Sequence, residues 1–227
     1  MKISKSNFEF LGQLKKNNNR EWFSANKNWY LEEYQNTIDF AEALIAEMNK
    51  VDFIETASGK KCLFRIYRDV RFSKDKSPYK TNWSGSLKRA TESKRGGYYF
   101  SLEPGNSFVA GGFWGPNSSD MSLIRGHIAQ DDTVLREIIN SKNFIETFGG
   151  LRGEQVKTAP KGYSRDDPAI DLLRYKQLLV RHDFTDKEVL SKDFVMNVAG
   201  VYQTVHPFFD YMSEILTTDL NGISLID

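Results

Sequence analysis

The apolar positions of the first fifty residues recur at the spacing of a helix. Six apolar or aromatic residues follow one another at steps of three and four: Tyr30, Tyr34, Ile38, Ala41, Ile45 and Met48. This spacing places them on one face of a long helix that ends near Lys50, and the face is expected to belong to the core. Two shorter helices are expected before it, because Ser6 with Glu9 and Asn18 with Glu21 have the spacing of a capping box.

In the next fifty residues the period of the pattern changes to two. Apolar and polar residues alternate from Phe64 to Phe72, which predicts a strand whose polar face carries Arg65, Tyr67, Asp69 and Arg71. Three further strand-like runs cover residues 82–88, 97–103 and 107–113. Residues 103–106, Glu-Pro-Gly-Asn, suit a type II turn. Short connections of this kind predict an antiparallel meander.

Helical patterns return after Pro116. The N-caps of two helices are expected at Ser118, Ser119 or Asp120 and at Asp131 or Asp132. The longest loop is expected over residues 149–162.

The last quarter of the chain is expected to add one strand and more helix. Leu178 to Phe184 has the pattern of an edge strand, and Thr185 with Glu188 forms another capping box. Pro207 is expected to break or kink the final helical region. Together these elements predict a single α+β domain over residues 1–227, in which an antiparallel meander sheet is flanked by N-terminal and C-terminal helices.

The composition is that of a globular protein, with 13% aromatic and 27% charged residues. A single cysteine, Cys62, allows no internal disulfide, which favours a reducing compartment. The N-terminus lacks the apolar run of a signal peptide, and no window has the length of a membrane span. We therefore expect a cytoplasmic protein without membrane association. The three histidines, His127, His182 and His206, lie far apart, so no metal site is expected.

Positive charge is concentrated in one part of a nearly neutral chain. The net charge is +1, yet residues 61–100 carry 11 lysine and arginine residues against 3 aspartate and glutamate residues. Six of these cations lie between Arg65 and Lys80, where the only carboxylates are Asp69 and Asp75. Guanidinium groups match the oxygens of carboxylate and phosphate groups, and lysines on the following loop are placed to close over such an anion.

Arg68 requires a partner in this interpretation. It lies on the apolar face of the predicted strand, where an unpaired charge is costly to bury. Either a bulge turns it outward or a carboxylate meets it. A structural network of salt bridges among the arginines, Asp69, Asp75 and acidic helices explains the same residues equally well.

A second candidate is the glycine-rich run from Val109 to Pro116, which leads into a helix. Its glycines allow backbone amides to approach an anion closely. A strand bulge and a tight turn account for the same glycines, and we favour that interpretation because the spacing matches no phosphate-binding loop.

Two further functions use the basic segment. In an enzyme, Asp69 acts as general base or metal ligand and Tyr67 or Tyr79 as proton donor, while the arginines hold the substrate. In a nucleic-acid-binding protein, three aromatic residues stack on bases beside the cations: Trp83, Tyr79 and Tyr98. The pattern indicates no particular cofactor and no particular oligomeric state.

Four motifs carry a resemblance that covers nearly the whole chain. They are residues 18–23 (Asn-Asn-Arg-Glu-Trp-Phe), residues 65–80, residues 111–116 (Gly-Gly-Phe-Trp-Gly-Pro) with Arg125, and residues 160–163 (Pro-Lys-Gly-Tyr) with Leu172 and Leu173. In these motifs the chain resembles a family of uncharacterised bacterial and fungal proteins, the domain of unknown function numbered twenty-four sixty-one. The resemblance implies a single domain and supplies no catalytic roles.

The leading hypothesis from the sequence is a site for a phosphate- or carboxylate-bearing ligand. Its proposed residues are the cations of the basic segment, with two residues expected nearby: Arg65, Arg68, Arg71, Lys74, Lys76 and Lys80, with Trp114 and Arg125.

Overall fold

A computed structural model describes residues 2–90 and 93–226 of the chain. Its elements follow in this order: α1 (Lys5–Lys16), α2 (Arg20–Ala25), α3 (Lys27–Met48), α4 (Gly59–Cys62), β1 (Trp83–Lys88), β2 (Gly97–Leu102), β3 (Ser107–Phe113), α5 (Ser118–Gln130), α6 (Thr133–Ile139), α7 (Lys142–Phe148), α8 (Ile170–Leu173), β4 (Leu178–Phe184), α9 (Asp186–Val189), α10 (Phe194–Thr204) and α11 (His206–Thr217).

The four strands form one antiparallel meander sheet in the order β1-β2-β3-β4, and helices precede and follow it along the chain. The predicted α+β class is therefore confirmed, with β4 at an edge. The turn between β2 and β3 has the expected type II form: Asn106 N–H donates to Glu103 O at 2.9 Å, and Gly105 has φ +74°.

The described residues divide into two compact units, each built from discontinuous segments. The first comprises Met1–Leu87, Tyr99–Val109 and Asp183–Gly200, and the second comprises Lys88–Tyr98, Ala110–His182 and Val201–Asp227. The expectation of a single domain stays a prediction.

A buried polar network ties α1, α3 and β1 together inside the first unit. The Trp83 indole N–H donates to Asn7 Oδ1 at 2.8 Å, and Asn7 Nδ2 donates to Thr37 Oγ1 and to the Glu33 carbonyl at 3.1 Å each. All four residues are buried, so these hydrogen bonds satisfy groups that would otherwise be costly inside the core. Helix α3 has the predicted extent, although Ile38 is only partly buried.

Two predicted N-caps in the first unit are displaced. Ser4, and not Ser6, caps α1 by accepting from Asn7 N–H at 2.9 Å. The Ser6 hydroxyl accepts instead from the Trp29 indole N–H at 2.9 Å. Asn19, and not Asn18, caps α2. The capping box of Thr185 and Glu188 is confirmed at α9.

In the second unit, the cap of α5 is displaced by one residue, whereas α6 begins after Asp132 as predicted. Asn117 caps α5, and Asp120 lies in its first turn, where it pairs with Arg95 at 2.5 Å. Asp132 precedes α6 without a side-chain cap, because its carboxylate pairs with Arg136 at 2.7 Å. The expected break at Pro207 is confirmed, since α11 begins at His206 with the proline in its first turn. Among the described residues, no helix has both the length and the apolar composition needed to cross a bilayer.

Candidate anion-binding site

The basic segment folds back on itself and does not form the strand predicted from Phe64 to Phe72. Arg68 N–H donates to Pro78 O at 2.9 Å and Lys80 N–H donates to Ile66 O at 2.7 Å. Tyr67 and Tyr79 pair in an isolated antiparallel bridge. Residues 66–68 thus pair with residues 78–80, and residues 69–77 form the intervening loop. We call residues 65–80 the basic hairpin.

We call residues 78–80 the return arm of the hairpin. This arm packs against α2 and forms hydrogen bonds with Asn18, the residue before the N-cap of α2. The Asn18 side chain donates to Tyr79 O at 2.9 Å and accepts from Tyr79 N–H at 3.1 Å. The Tyr79 ring, which is 5% exposed, stacks on Phe23 with 4.0 Å between ring centroids. Asn18 therefore holds the hairpin, which explains why the neighbouring asparagine caps the helix.

The two carboxylates of the hairpin each bind one of its arginines. Asp75 forms an ion pair with Arg68 Nη1, which also donates to Ser77 O at 3.1 Å. Asp69 accepts from Arg71 at 2.6 Å. The partner that Arg68 was expected to need is thus the chain's own Asp75.

Arg65 and Lys80 have no carboxylate partner within 4.0 Å among the residues that the structure describes. The Lys80 ammonium lies 5.5 Å from the centroid of the Phe64 ring. Burial, and secondarily the positive charge of Arg65, lower the pKa of Lys80 below its ordinary value. Arg65 is therefore close enough to destabilise the charge of Lys80.

A cavity of about 370 Å³ lies beside the hairpin in the first unit. Its lining consists mainly of polar and cationic residues: Lys15, Asn18, Arg68, Asp75, Ser77, Tyr79, Lys80, Thr81 and Asn82. The Lys15 ammonium group also forms an ion pair with the Glu103 carboxylate, at 3.4 Å. The cavity combines three cations with one lining carboxylate, that of Asp75.

The structure brings only part of the predicted cation set to this cavity. Arg68 and Lys80 line it, whereas Arg65 and the three cations of the loop, Arg71, Lys74 and Lys76, do not. Lys76 Nζ donates to Val70 O at 2.9 Å. Sequence reasoning missed Lys15, which lies on α1 and carries no local signal of this role.

Trp114 and Arg125 belong to the second unit. Trp114 is 74% exposed. The Arg125 guanidinium donates to the carbonyl oxygens of Leu173 at 2.9 Å and Tyr175 at 3.1 Å.

The surroundings of Asp69 are unfavourable for a general base. Hydrogen bonds from the Arg71 side chain and backbone hold the pKa of Asp69 below its ordinary value, which makes the carboxylate a weaker base. Asp69 also does not line the cavity. Within residues 2–90 and 93–226, no group of three or more histidine, cysteine, aspartate and glutamate side chains is placed to hold a metal ion.

The three aromatic residues expected to stack on bases are all buried, so that part of the nucleic-acid hypothesis is wrong. Trp83, Tyr79 and Tyr98 are 2%, 5% and 1% exposed, so none of them presents an open ring face on which a base of a nucleic-acid strand could stack. The most exposed aromatic residue of the hairpin is Phe72, at 96% exposure, and the Arg71 guanidinium lies 5.8 Å from its ring centroid.

In the glycine-rich run, the neighbouring strand accounts for Gly112. Its φ is +133°, and a Cβ at this position would lie 2.2 Å from the Leu178 carbonyl oxygen of β4. Glycine is therefore required here by the close approach of β3 and β4, a structural reason other than the expected bulge or tight turn.

The hairpin loop makes a prediction for the titration of Asp75. Hydrogen bonds from Ser77, and then from Arg68, lower the pKa of Asp75 to about 2. We expect its carboxyl carbon resonance to titrate near that value and Arg68→Met to raise it. Because the pKa is lowered in the folded state, the carboxylate supports the loop above pH 4 and loses this effect as the pH falls through about 2. A wild-type midpoint near 3.8, the ordinary pKa of an aspartate side chain, would contradict the loop geometry.

Comparison with known proteins places the chain in a family without identifying an activity. No curated protein and no solved structure gives a significant match. A family model described as "Conserved hypothetical protein (DUF2461)" matches residues 6–211, and this range includes the basic hairpin and all four strands. Because the match covers most of the chain, the protein belongs to this family of conserved hypothetical proteins.

Proposed function

We propose that the protein binds an anionic ligand carrying a phosphate or carboxylate group in the cavity beside the basic hairpin. The observation that carries this proposal is Lys80, which lines the cavity and has no carboxylate partner among the described residues, because the two carboxylates of the hairpin pair with its arginines. Asp69 and Asp75 are already bound to Arg71 and Arg68. A ligand anion would supply the missing negative charge.

The donors at the cavity suit an oxygen-rich anion. Both hydrogen bonds of the Arg68 guanidinium use Nη1, so Nε and Nη2 keep their hydrogens for a ligand. Lys80 adds a second cation, and the pKa of its ammonium group, lowered by burial and by Arg65, would rise when an anion binds. Ligand binding therefore relieves a repulsion that the empty site contains.

The exposed ring of Phe72 supports single-stranded nucleic acid as a second candidate ligand. A ring that is 96% exposed beside Arg71 offers a base both a stacking surface and a cation. This mode would use the loop of the hairpin and would be lost in Phe72→Ala, whereas the cavity would be unaffected.

We further propose a reducing compartment, such as the cytoplasm, as the location of the protein. Cys62 is buried, and burial raises the pKa of its thiol to about 12. A thiol of this kind is protonated at neutral pH and poorly reactive.

Thermal melting in different anions tests the cavity. Phosphate, sulfate, succinate and a nucleoside monophosphate are compared at matched ionic strength. An anion present at a hundred times its dissociation constant should stabilise the wild type by about 2.7 kcal/mol. Lys80→Met should abolish this gain without lowering the stability of the empty protein, because a repulsion has been removed.

Lys5→Met is the matched control, since Lys5 is an exposed lysine of the same unit with no ion pair to another described residue. It should keep the full response. The proposal fails if no anion shifts the wild-type melting temperature, or if Lys5→Met and Lys80→Met lose the response equally.

A further inference from the structure

The second unit contains a larger cavity, of about 580 Å³, that the basic hairpin does not line. Its polar lining consists of Asn117, Ser118, Ser122, Arg125, Lys161 and Tyr163. The lining includes no aspartate or glutamate among the residues that the structure describes. Two cations thus face a cavity whose walls carry no compensating carboxylate.

Arg125 is held in a fixed orientation that leaves part of its guanidinium group open. Nε donates to Leu173 O and Nη2 donates to Tyr175 O, so one edge of the group is bound to backbone carbonyls. Nη1 has no acceptor among the described residues, and no described carboxylate pairs with this arginine. Burial lowers the pKa of Arg125, which shows that its charge is only partly solvated.

Lys161 and Tyr163 complete the set of donors from a different part of the chain. Lys161 is exposed and forms no ion pair with a described residue. Burial raises the pKa of Tyr163 above its ordinary value, so its hydroxyl keeps its proton at neutral pH and can donate. Ser118 and Ser122 add two hydroxyl groups from α5.

We propose that this cavity is a second, independent site that binds the phosphate group of a small phosphate monoester. Two positive charges match a phosphate dianion better than a single carboxylate, and the hydroxyl donors suit its three terminal oxygens. The volume lies within the usual range of small-molecule sites, and Pro116 and Met121 provide an apolar wall for the organic part of the ester.

Nuclear magnetic resonance titration with phenyl phosphate tests this site in the full chain. Saturable shifts are expected at the backbone amides of Ser118, Ser122 and Gly162, with inorganic phosphate causing the same shifts and benzoate binding more weakly. Lys161→Met should weaken phenyl phosphate binding about tenfold, the usual effect of losing one charge-assisted hydrogen bond. Tyr163→Phe should weaken it by a smaller factor.

Lys157→Met is the control variant, because Lys157 is an exposed lysine of the same unit that does not line the cavity. It should bind phenyl phosphate like the wild type. Lys80→Met should also keep these shifts, which separates this site from the hairpin site: either can fail without the other. The inference is overturned if these amides show no saturable shift at millimolar phenyl phosphate, or if Lys161→Met binds like Lys157→Met.

Discussion

Replacing Gly112 with alanine is expected to destabilise the protein by about 4 kcal/mol, through backbone strain and overpacking together. The added Cβ would lie 2.2 Å from Leu178 O and 2.9 Å from Leu179 Cα, so β4 would have to move away from β3. The φ of +133° adds strain for any residue with a side chain. Urea unfolding followed by circular dichroism measures the loss.

Gly150→Ala separates the two causes. Gly150 has a similar φ of +120°, but no other atom lies within 4 Å of the position that its Cβ would occupy. We expect this variant to lose only the strain contribution, about 1 to 2 kcal/mol. Equal losses in the two variants would mean that the contact with β4 is unimportant.

The elements that sequence reasoning predicted best are those specified by local signals. Helix α3 has a long periodic stretch, and the turn between β2 and β3 needs proline and glycine at particular positions, so both are determined within a few residues. The caps show the limit of such signals. Ser4 and Ser6 are equally able to cap a helix, and their roles are separated by contacts with residues of α3 that are distant in sequence: Trp29 donates to the Ser6 hydroxyl, and Ser4 bonds to Glu33.

The basic hairpin was misinterpreted because its alternation is not caused by a sheet. Ile66 is 2% exposed. Phe64 and Phe72, which would lie on the same face of the predicted strand, are 45% and 96% exposed. The arm that contains Ile66 pairs with residues 78–80. Those residues are held in turn by Asn18, which lies 61 positions from Tyr79 in the sequence. A window of alternating residues contains no information about a contact of that separation.

The local excess of positive charge was evident from the sequence, but the pairing of individual arginines with carboxylates was not. The sequence favoured a ligand site and an internal network equally, and the structure shows two ion pairs of the kind that such a network needs. Arg68 and Arg71 are paired within the chain, while Arg65 and Lys80 have no carboxylate partner among the described residues. Which arginine meets which carboxylate depends on the fold of residues 69–77, and composition does not specify it.

Tyr79→Ala is expected to release the return arm of the hairpin and to lower the free energy of unfolding by about 3 to 4 kcal/mol, as for other buried aromatic residues. The ring packs at 4.0 Å from Phe23, so its removal leaves a cavity between the hairpin and α2. The amides of Arg68 and Lys80, which bond across the hairpin, should lose protection from hydrogen exchange. Anion binding at the cavity beside the hairpin should weaken as well.

Tyr67→Ala is a closely matched control, because Tyr67 is the bridge partner of Tyr79 on the opposite arm but is 48% exposed. It should cost clearly less than Tyr79→Ala, about 1 to 2 kcal/mol, since about half of the side chain is already in water although its ring also lies beside those of Tyr79 and Phe23. Tyr79→Phe should also be nearly neutral, because the Tyr79 hydroxyl has no hydrogen-bond partner among the described residues. If Tyr79→Phe instead abolished a catalytic activity while leaving stability unchanged, the hydroxyl would have the role of proton donor that the enzyme hypothesis assigns to it. If Tyr67→Ala proved as damaging as Tyr79→Ala, the hairpin would be held by the cross-arm pair, and its attachment to α2 through Phe23 would not be the cause of its stability.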